Sequence, residues 1–322
     1  MKAPDAERLW QPGRPVPVTA ILRQQRRGGG DPTHRFDVEG RHWRASRTPE
    51  GPVALAVADQ DGAGVIRAEA WGPGAAWALD QLPALLGDLD DWSGFDPRHP
   101  VLAEARRMHP HLRLGRTGRV LEAIVPAVIE QKVTGQEAFA GFRALVRRHG
   151  EPAPGPGPRV GLMVPPDAAT LRAIPSWEWH RLHIDPARSR AVVTAARHAD
   201  ALERITLGSA VTGSETGSDT GDEAERRLRS LPGVGVWTSA EVRQRAFGDP
   251  DAVSFGDYHV AKDVGWALTG EPFDDAQLAS YLEPWRGQRG RVPFLVGAAG
   301  LYRPRRGPRM APRDHLQRDL FP

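Results

Sequence analysis

Leu231-Pro232-Gly233-Val234-Gly235-Val236-Trp237-Thr238 is the stretch on which the fold turns. Arg226–Leu231 before it and Ser239–Phe247 after it read as helices, so the octet predicts a hairpin between two helices. Its glycines permit positive φ and the close approach of another backbone. Such a turn can aim free amides at a phosphate, helped by the start of the following helix. Equally, it can be a tight connection chosen for packing alone. Beyond the second helix come the turn residues Gly248-Asp249-Pro250-Asp251 and then Ala252-Val253-Ser254-Phe255-Gly256-Asp257-Tyr258-His259-Val260. Asp257 is therefore expected at the start of a further helix. There it is either an N-cap or a carboxylate in a cleft, facing an electron-poor centre.

Working outward, three textures divide the chain. Residues from about Pro15 to Trp71 carry short apolar runs broken by Gly, Pro and Asp. His34–Val38 and His42–Arg44 flank Glu39-Gly40, and Val53–Val57 and Ala68-ending Val65-Ile66-Arg67 flank a polar, glycine-containing turn; each pair predicts a β-hairpin. Gly74–Leu86 has apolar residues at helical spacing. A small α+β domain over residues 1–95 follows. From Pro100 the periodicity is helical, longest over Val120–Val146, where Gly135 is expected to break or bend it. Glu151–Pro158 alternates proline and glycine and predicts a stiff, non-helical linker. Helices are expected around Ala168–Ala173, Ser176–His183 and Pro186–Glu203, and a mobile surface loop over Leu207–Asp222. The fold class is thus mainly α, with a helical domain over 96–302 and a basic tail over 303–322.

Composition narrows the chemistry. The 322 residues are 40% hydrophobic and 26% charged and include no cysteine. Disulfides, thiolate metal sites and a cysteine nucleophile are thereby excluded. No run of about 18 apolar residues suggests a membrane span, and Met1-Lys2-Ala3-Pro4-Asp5 lacks the apolar core of a secretory signal. A cytoplasmic location is the expectation. His109/His111 and His180/His183 have marginal metal spacing without a matching carboxylate cluster, so no metal site is expected from them. The net charge is only +3, and all basic residues but Lys2, Lys132 and Lys262 are arginine. Arg286, Arg289, Arg291, Arg303, Arg305, Arg306, Arg309 and Arg313 follow one another against few acids. Such a run suits a polyanionic partner or a solvated tail.

Leu231–Thr238 together with Gly256-Asp257-Tyr258 resembles the helix–hairpin–helix DNA glycosylase superfamily. Trp237, in place of a lysine after the second hairpin glycine, looks like the AlkA-type 3-methyladenine DNA glycosylases. Ile129-Glu130-Gln131-Lys132-Val133-Thr134 is similar to the first helix of that family's glycosylase domain. The resemblance spans about Pro15 to Gly300. It implies a two-lobed helical domain preceded by a small sheet domain. It also implies Asp257 as the catalytic carboxylate, and DNA-backbone contacts at Gly233, Val234, Gly235 and Thr238. Trp237, Tyr258 and position 241 would line a base pocket, and Gln131 or Lys132 would be the wedge that enters the duplex. Two departures stand out: Glu241 and Gly300 replace pocket aromatics, and Lys132 replaces an apolar wedge.

The partner implied is double-stranded DNA with damaged bases, and the enzyme a monomer needing no cofactor beyond a monovalent cation held by hairpin carbonyls. The activity implied is hydrolysis of the N-glycosidic bond of alkylated purines. A base alkylated at N3 or N7 is cationic and leaves readily. Asp257, kept ionised by arginines or helix-start amides, would stabilise the oxocarbenium-like sugar and orient water. Without an amine at Trp237, an abasic site is expected with no strand cleavage. Lys262 is expected at a surface or phosphate contact. Two alternatives remain: a glycosylase for deaminated or oxidised bases with Glu241 as proton donor, and a damaged-DNA binding protein in which Asp257 only caps a helix.

Overall fold

The computed structural model describes residues 2–60, 64–211 and 217–304. The tail expected over 303–322 falls almost wholly outside these residues.

The N-terminal part is a five-stranded antiparallel sheet. Strand β1 spans Ala6–Trp10, β2 His34–Phe36, β3 His42–Thr48, β4 Gly51–Gln60 and β5 Val65–Trp71, in the order β1-β5-β4-β3-β2. Both expected hairpins form, with His34 opposite Arg44 and Asp59 opposite Ile66. Strand β1 was not foreseen; its Ala-Glu-Arg-Leu-Trp gives too short an alternation to stand out. Alternation gives the sheet two apolar faces. Val53, Leu55, Val57, Ile66 and Ala68 pack on helices α1 (Val18–Arg23), α2 (Ala75–Asp80) and α3 (Leu82–Leu85). Trp43, Ala45, Ala54, Ala56 and Trp71 form the other face, where the two indoles stack at 5.2 Å.

That second face is covered by the proline- and glycine-rich segment after residue 150. Strands β6 (Glu151–Pro152) and β7 (Met163–Val164) pair there, and Ala153, Leu162 and Val164 join the tryptophans. A Cβ on Gly155, at φ +61°, would lie 2.4 Å from the Trp71 ring. The segment read as a linker is therefore a lid on the sheet, irregular because it must follow two stacked indoles.

The helices fall into two lobes. Helix α4 (Pro100–Met108) starts in one; the chain crosses to the other for α5 (Val120–Ile129), α6 (Gly135–His149), α7 (Ala168–Ala173), α8 (Ser176–Arg181), α9 (Pro186–Arg197), α10 (Ala199–Val211), α11 (Gly217–Arg229) and α12 (Val236–Val242). It then returns for α13 (Val260–Thr269), α14 (Asp275–Leu282) and α15 (Arg291–Ala298). One core gathers α5 to α12; the other joins Leu102 and Ala105 of α4 to α13, α14 and α15. The expected long helix is divided at residues 130–134, where Thr134 caps α6 in a reciprocal capping box with Glu137. Gly135 is the first residue of α6, not its break.

Within the loop expected over 207–222, residues 207–211 belong to α10 and 217–222 to α11, while 212–216 lie outside the described residues. Glu223–Arg227 and Glu225–Arg229 pairs at i, i+4 spacing, acid before base, support α11 along the macrodipole. Among the described residues, no helix is long and apolar enough to cross a membrane.

The sheet domain docks on α5 at both ends of that helix. Glu122 accepts from Ser46 Oγ and Arg47 N, each at 2.6 Å, and from Arg44 at 2.7 Å. Arg27 pairs with Glu130 at 3.2 Å. Close by, His42 is 1% exposed and touches Phe36 edge-on at 4.4 Å. Burial, with the neighbouring positive charges of His34, Arg26 and Arg44, lowers its pKa to about 3. Unfolded, the same imidazole titrates near 6.5, so between these values the unfolded chain binds the extra proton. Stability is then lost as pH falls through this window, by at most about 1.4 kcal/mol per pH unit for this group. His42→Gln should flatten the urea-midpoint profile between about pH 6.5 and 3; an unchanged slope would rule His42 out as its source.

Candidate active site

The hairpin forms where expected, and its two glycines differ in role. Gly233 has φ +88°, and a Cβ there would lie 2.8 Å from Ala191 Cβ of α9; both conformation and packing require glycine. Gly235 has an ordinary extended φ of −93° and would meet nothing within 4 Å. The protein's own packing does not demand glycine there, and its absent side chain leaves the start of α12 open. No side chain caps that helix start. Val234 turns its side chain into the core, at 6% exposure, and is left with only backbone groups to offer.

The Thr238 side chain is buried and accepts from Gln131 Nε2 at 2.7 Å, which leaves its backbone amide as the group it can offer at the α12 start. The same Gln131 nitrogen donates to Gly233 O at 2.9 Å. Gln131 therefore fastens the α5–α6 turn to the hairpin and cannot at the same time serve as a wedge. Lys132, the neighbouring residue, is exposed at φ +56°, a left-handed conformation that non-glycine residues seldom adopt.

Asp257 lies on the segment that recrosses between the lobes. Its Oδ1 accepts from the amides of His259 at 2.7 Å and Val260 at 3.1 Å, at the start of α13. Its Oδ2 accepts from the indole Nε1 of Trp237, on α12, at 3.2 Å. Two residues that the sequence placed in one site, 20 positions apart, are thus in direct contact. Helix-start amides bond the carboxylate as expected; among the described residues no arginine does. Tyr258 is 74% exposed, edge-on to His259, with Lys262 Nζ 3.7 Å from its ring centre. It therefore stands on the surface beside Asp257 and does not line an enclosed pocket.

Glu241 is the clearest correction. One turn beyond Trp237, it is buried, accepting from Arg245 at 2.7 Å and from Ser254 Oγ at 2.6 Å. Burial pushes its pKa up, but Arg245, the Ser254 hydroxyl and Arg27 outweigh this and hold it below the usual carboxylate value. It stays ionised and is no proton donor. Its place is structural: with Gln244, which donates to Ala252 O at 3.0 Å, it fixes the approach to Asp257. Arg243 continues the work at 2.8 Å from Asp249.

The basic C-terminal run is also largely committed. Arg291 is buried on Asp90 at 2.7 Å, Arg289 pairs with Asp251, and Arg286 with Glu283 at 2.6 Å. Acids distant in sequence neutralise Arg289 and Arg291, and Arg286 pairs locally with Glu283; Arg305, Arg306, Arg309 and Arg313 lie outside the described residues.

No protein-family model matches the chain. Among solved structures, a 3-methyladenine DNA glycosylase from Archaeoglobus fulgidus superposes with a TM-score of 0.66, covering 91% of this chain and 98% of its own at 17% identity. An 8-oxoguanine glycosylase/lyase from Clostridium acetobutylicum gives 0.64, covering 88% and 92%, at 10% identity. The fold is that of the helix–hairpin–helix DNA glycosylases. The chain is also 30% identical over 184 residues to a probable bifunctional transcriptional activator/DNA repair enzyme AlkA of Mycobacterium tuberculosis; this is 56% of the chain but only 33% of that relative. The chain thus spans about a third of the length of the curated relatives it matches.

Within this glycosylase fold the Glu241 network makes a direct forecast. Glu241→Ala leaves the partly buried Arg245 without its carboxylate and the Ser254 hydroxyl without its acceptor, and should cost about 2–4 kcal/mol. Urea denaturation reads this as a lowered midpoint at unchanged slope; a cost under about 1 kcal/mol would mean that Glu241 is not part of the buried framework.

Proposed function

We propose that the protein is a monofunctional DNA glycosylase of base excision repair, which flips an alkylated purine out of the duplex and hydrolyses its N-glycosidic bond. The observation that carries this is the seat of Asp257. One carboxylate oxygen is tied to the α13 amides, the other to the Trp237 indole beside the hairpin. A carboxylate held so needs no reorganisation as positive charge develops on a sugar.

The fold does not by itself choose the lesion, since it is shared by glycosylases of alkylated and of oxidised bases. Two features favour the cationic base. With Glu241 ionised on Arg245 and Ser254, no acid is offered at that position to protonate a neutral leaving base. An alkylated purine needs none. Trp237 brings an indole, and no amine, to Asp257, which favours water as the nucleophile and an abasic product.

On this reading the open start of α12 and the Gly235 backbone receive a DNA phosphate, and Lys132 enters the duplex as the base leaves. The carbonyls at the hairpin are hard oxygen donors. Although Gly233 O already accepts from Gln131 and Leu231 O from Val234 N, each keeps a second lone pair for a monovalent cation.

The deciding experiment treats genomic DNA with a methylating agent and analyses the released bases by mass spectrometry. Wild type should free 3-methyladenine or 7-methylguanine, and Asp257→Asn should lower the rate at least a hundredfold while still binding DNA. Duplexes carrying hypoxanthine or 8-oxoguanine form the parallel arm; release confined to these would replace the alkylpurine reading. Binding without release of any base would leave a damage-binding protein.

Gly235→Glu supplies a second test. Because nothing occupies the space beside Gly235, the variant should fold with an unchanged Tm, yet bind duplex DNA at least tenfold more weakly. Equal affinity by fluorescence anisotropy would remove the hairpin from the DNA contact.

A further inference from the structure

Between the two clamps that hold the sheet domain on α5, at Glu122 and Glu130, the structure encloses a cavity of about 70 Å³. A water needs roughly 10–15 Å³ of such space, so the cavity has room for about five waters or one small planar heterocycle. It is separate from Asp257. Trp237 and Glu241 lie on α12 and Arg245 on the π-helical turn Arg243–Phe247 that continues it, and of these only Arg245 lines the cavity.

Its lining mixes two chemistries. Leu121, Val125, Phe142, Leu145, Pro165 and Pro166 supply apolar surface from the helical domain. Arg27, Thr33, His34 and Arg44 from the sheet domain, and Arg119 and Arg245 from the helical domain, supply polar groups. Arg44, Arg119 and Arg245 each engage a carboxylate through a terminal nitrogen, yet their inner Nε–H groups are buried without an acceptor. His34 Nε2 is likewise buried without a partner. Buried donors left unmet cost about 1–3 kcal/mol each, more on charged groups, so several around one cavity call for an occupant.

Charge argues against a simple oxyanion. Arg27 is matched by Glu130, Arg44 by Glu122, Arg47 by Glu151, Arg119 by Glu203 and Arg245 by Glu241, so the ring is close to neutral before anything enters. A neutral, flat molecule with both donors and acceptors on its edge and apolar faces suits the walls better. We propose that this interdomain cavity binds a free nucleobase. Its role as a store for the excised product rests on the glycosylase reading above; binding itself does not.

Isothermal titration of the full chain with adenine, and separately with inorganic phosphate, tests this. Adenine should bind one to one. Ala123→Leu, which fills the cavity from α5 without touching a charge, should weaken it at least tenfold. Arg245→Lys, which keeps the ion pair but removes the Nε–H, gives a second variant should Ala123→Leu fold poorly, and should also weaken binding. Asp257→Asn should bind adenine as wild type does, whatever its effect on base release. Phosphate binding without adenine binding would overturn the nucleobase assignment, as would no binding of either. Adenine binding lost in Trp237→Ala but kept in Ala123→Leu and Arg245→Lys would put the ligand at the hairpin and overturn the cavity site.

Discussion

The burial of α5 is the constraint on which the rest of the molecule depends. Val120, Ile124, Ala127, Val128 and Ile129 are fully enclosed, with Ala123 and Val125 nearly so, and a helix apolar on all sides has to be surrounded. At roughly 1.5–3 kcal/mol for each large side chain, no surface interaction here competes with it. Helices α6, α9 and α12 close on it from its own lobe, and the sheet domain closes the remaining side through Glu122 and Glu130. Because α12 must lie against α5, the hairpin before α12 has its position before any ligand arrives. Gln131, at the end of α5, then fastens that position with two hydrogen bonds.

Apolar burial fixes where the lobes sit; buried charge fixes how the segment between them runs. The chain from Gly248 to Asp257 has no regular structure to hold it. Arg243 takes Asp249, Glu241 takes Ser254, and Gln244 takes the carbonyl of Ala252. Buried ion pairs seldom add much net stability, since desolvation offsets their attraction. What they do is make every other path of the segment costly, because a departing partner leaves a charge stranded. That one ion pair and two hydrogen bonds, three ties within ten residues, place Asp257 against Trp237 with little freedom.

The sequence made legible those features whose cause is local. The hairpin glycines, the strand alternation and the Gly-Asp at the head of α13 each carry their reason within a few residues. The misreadings have non-local causes. Residues 151–165 look like a linker until Trp43 and Trp71 supply a surface to cover. Arg289 and Arg291 look like part of a basic patch because Asp251 and Asp90 are matched to them only by folding. Position 241 is a pocket residue only by the family resemblance; in this chain Glu241 is turned to Arg245 and to Ser254, thirteen residues on. At 217–222 the expected polar loop is helix for another reason: low apolar content says little about a helix such as α11, whose acids and bases lie in macrodipole order.

Under the proposed function, the helix-start and chemical readings of Asp257 are not rivals. A carboxylate has two oxygens, and capping α13 occupies one of them. Bound to two amides, that oxygen fixes the plane of the group and sets the other against the Trp237 indole. An aspartate free of the helix would turn about its side-chain bonds and would have to be reordered each time charge appeared nearby. The cap removes that cost in advance, at the junction of two lobes whose cores are otherwise separate. The residue type that best ends a loop and starts a helix is thus the one that presents an immobile negative charge there, and one fold-level demand serves both purposes.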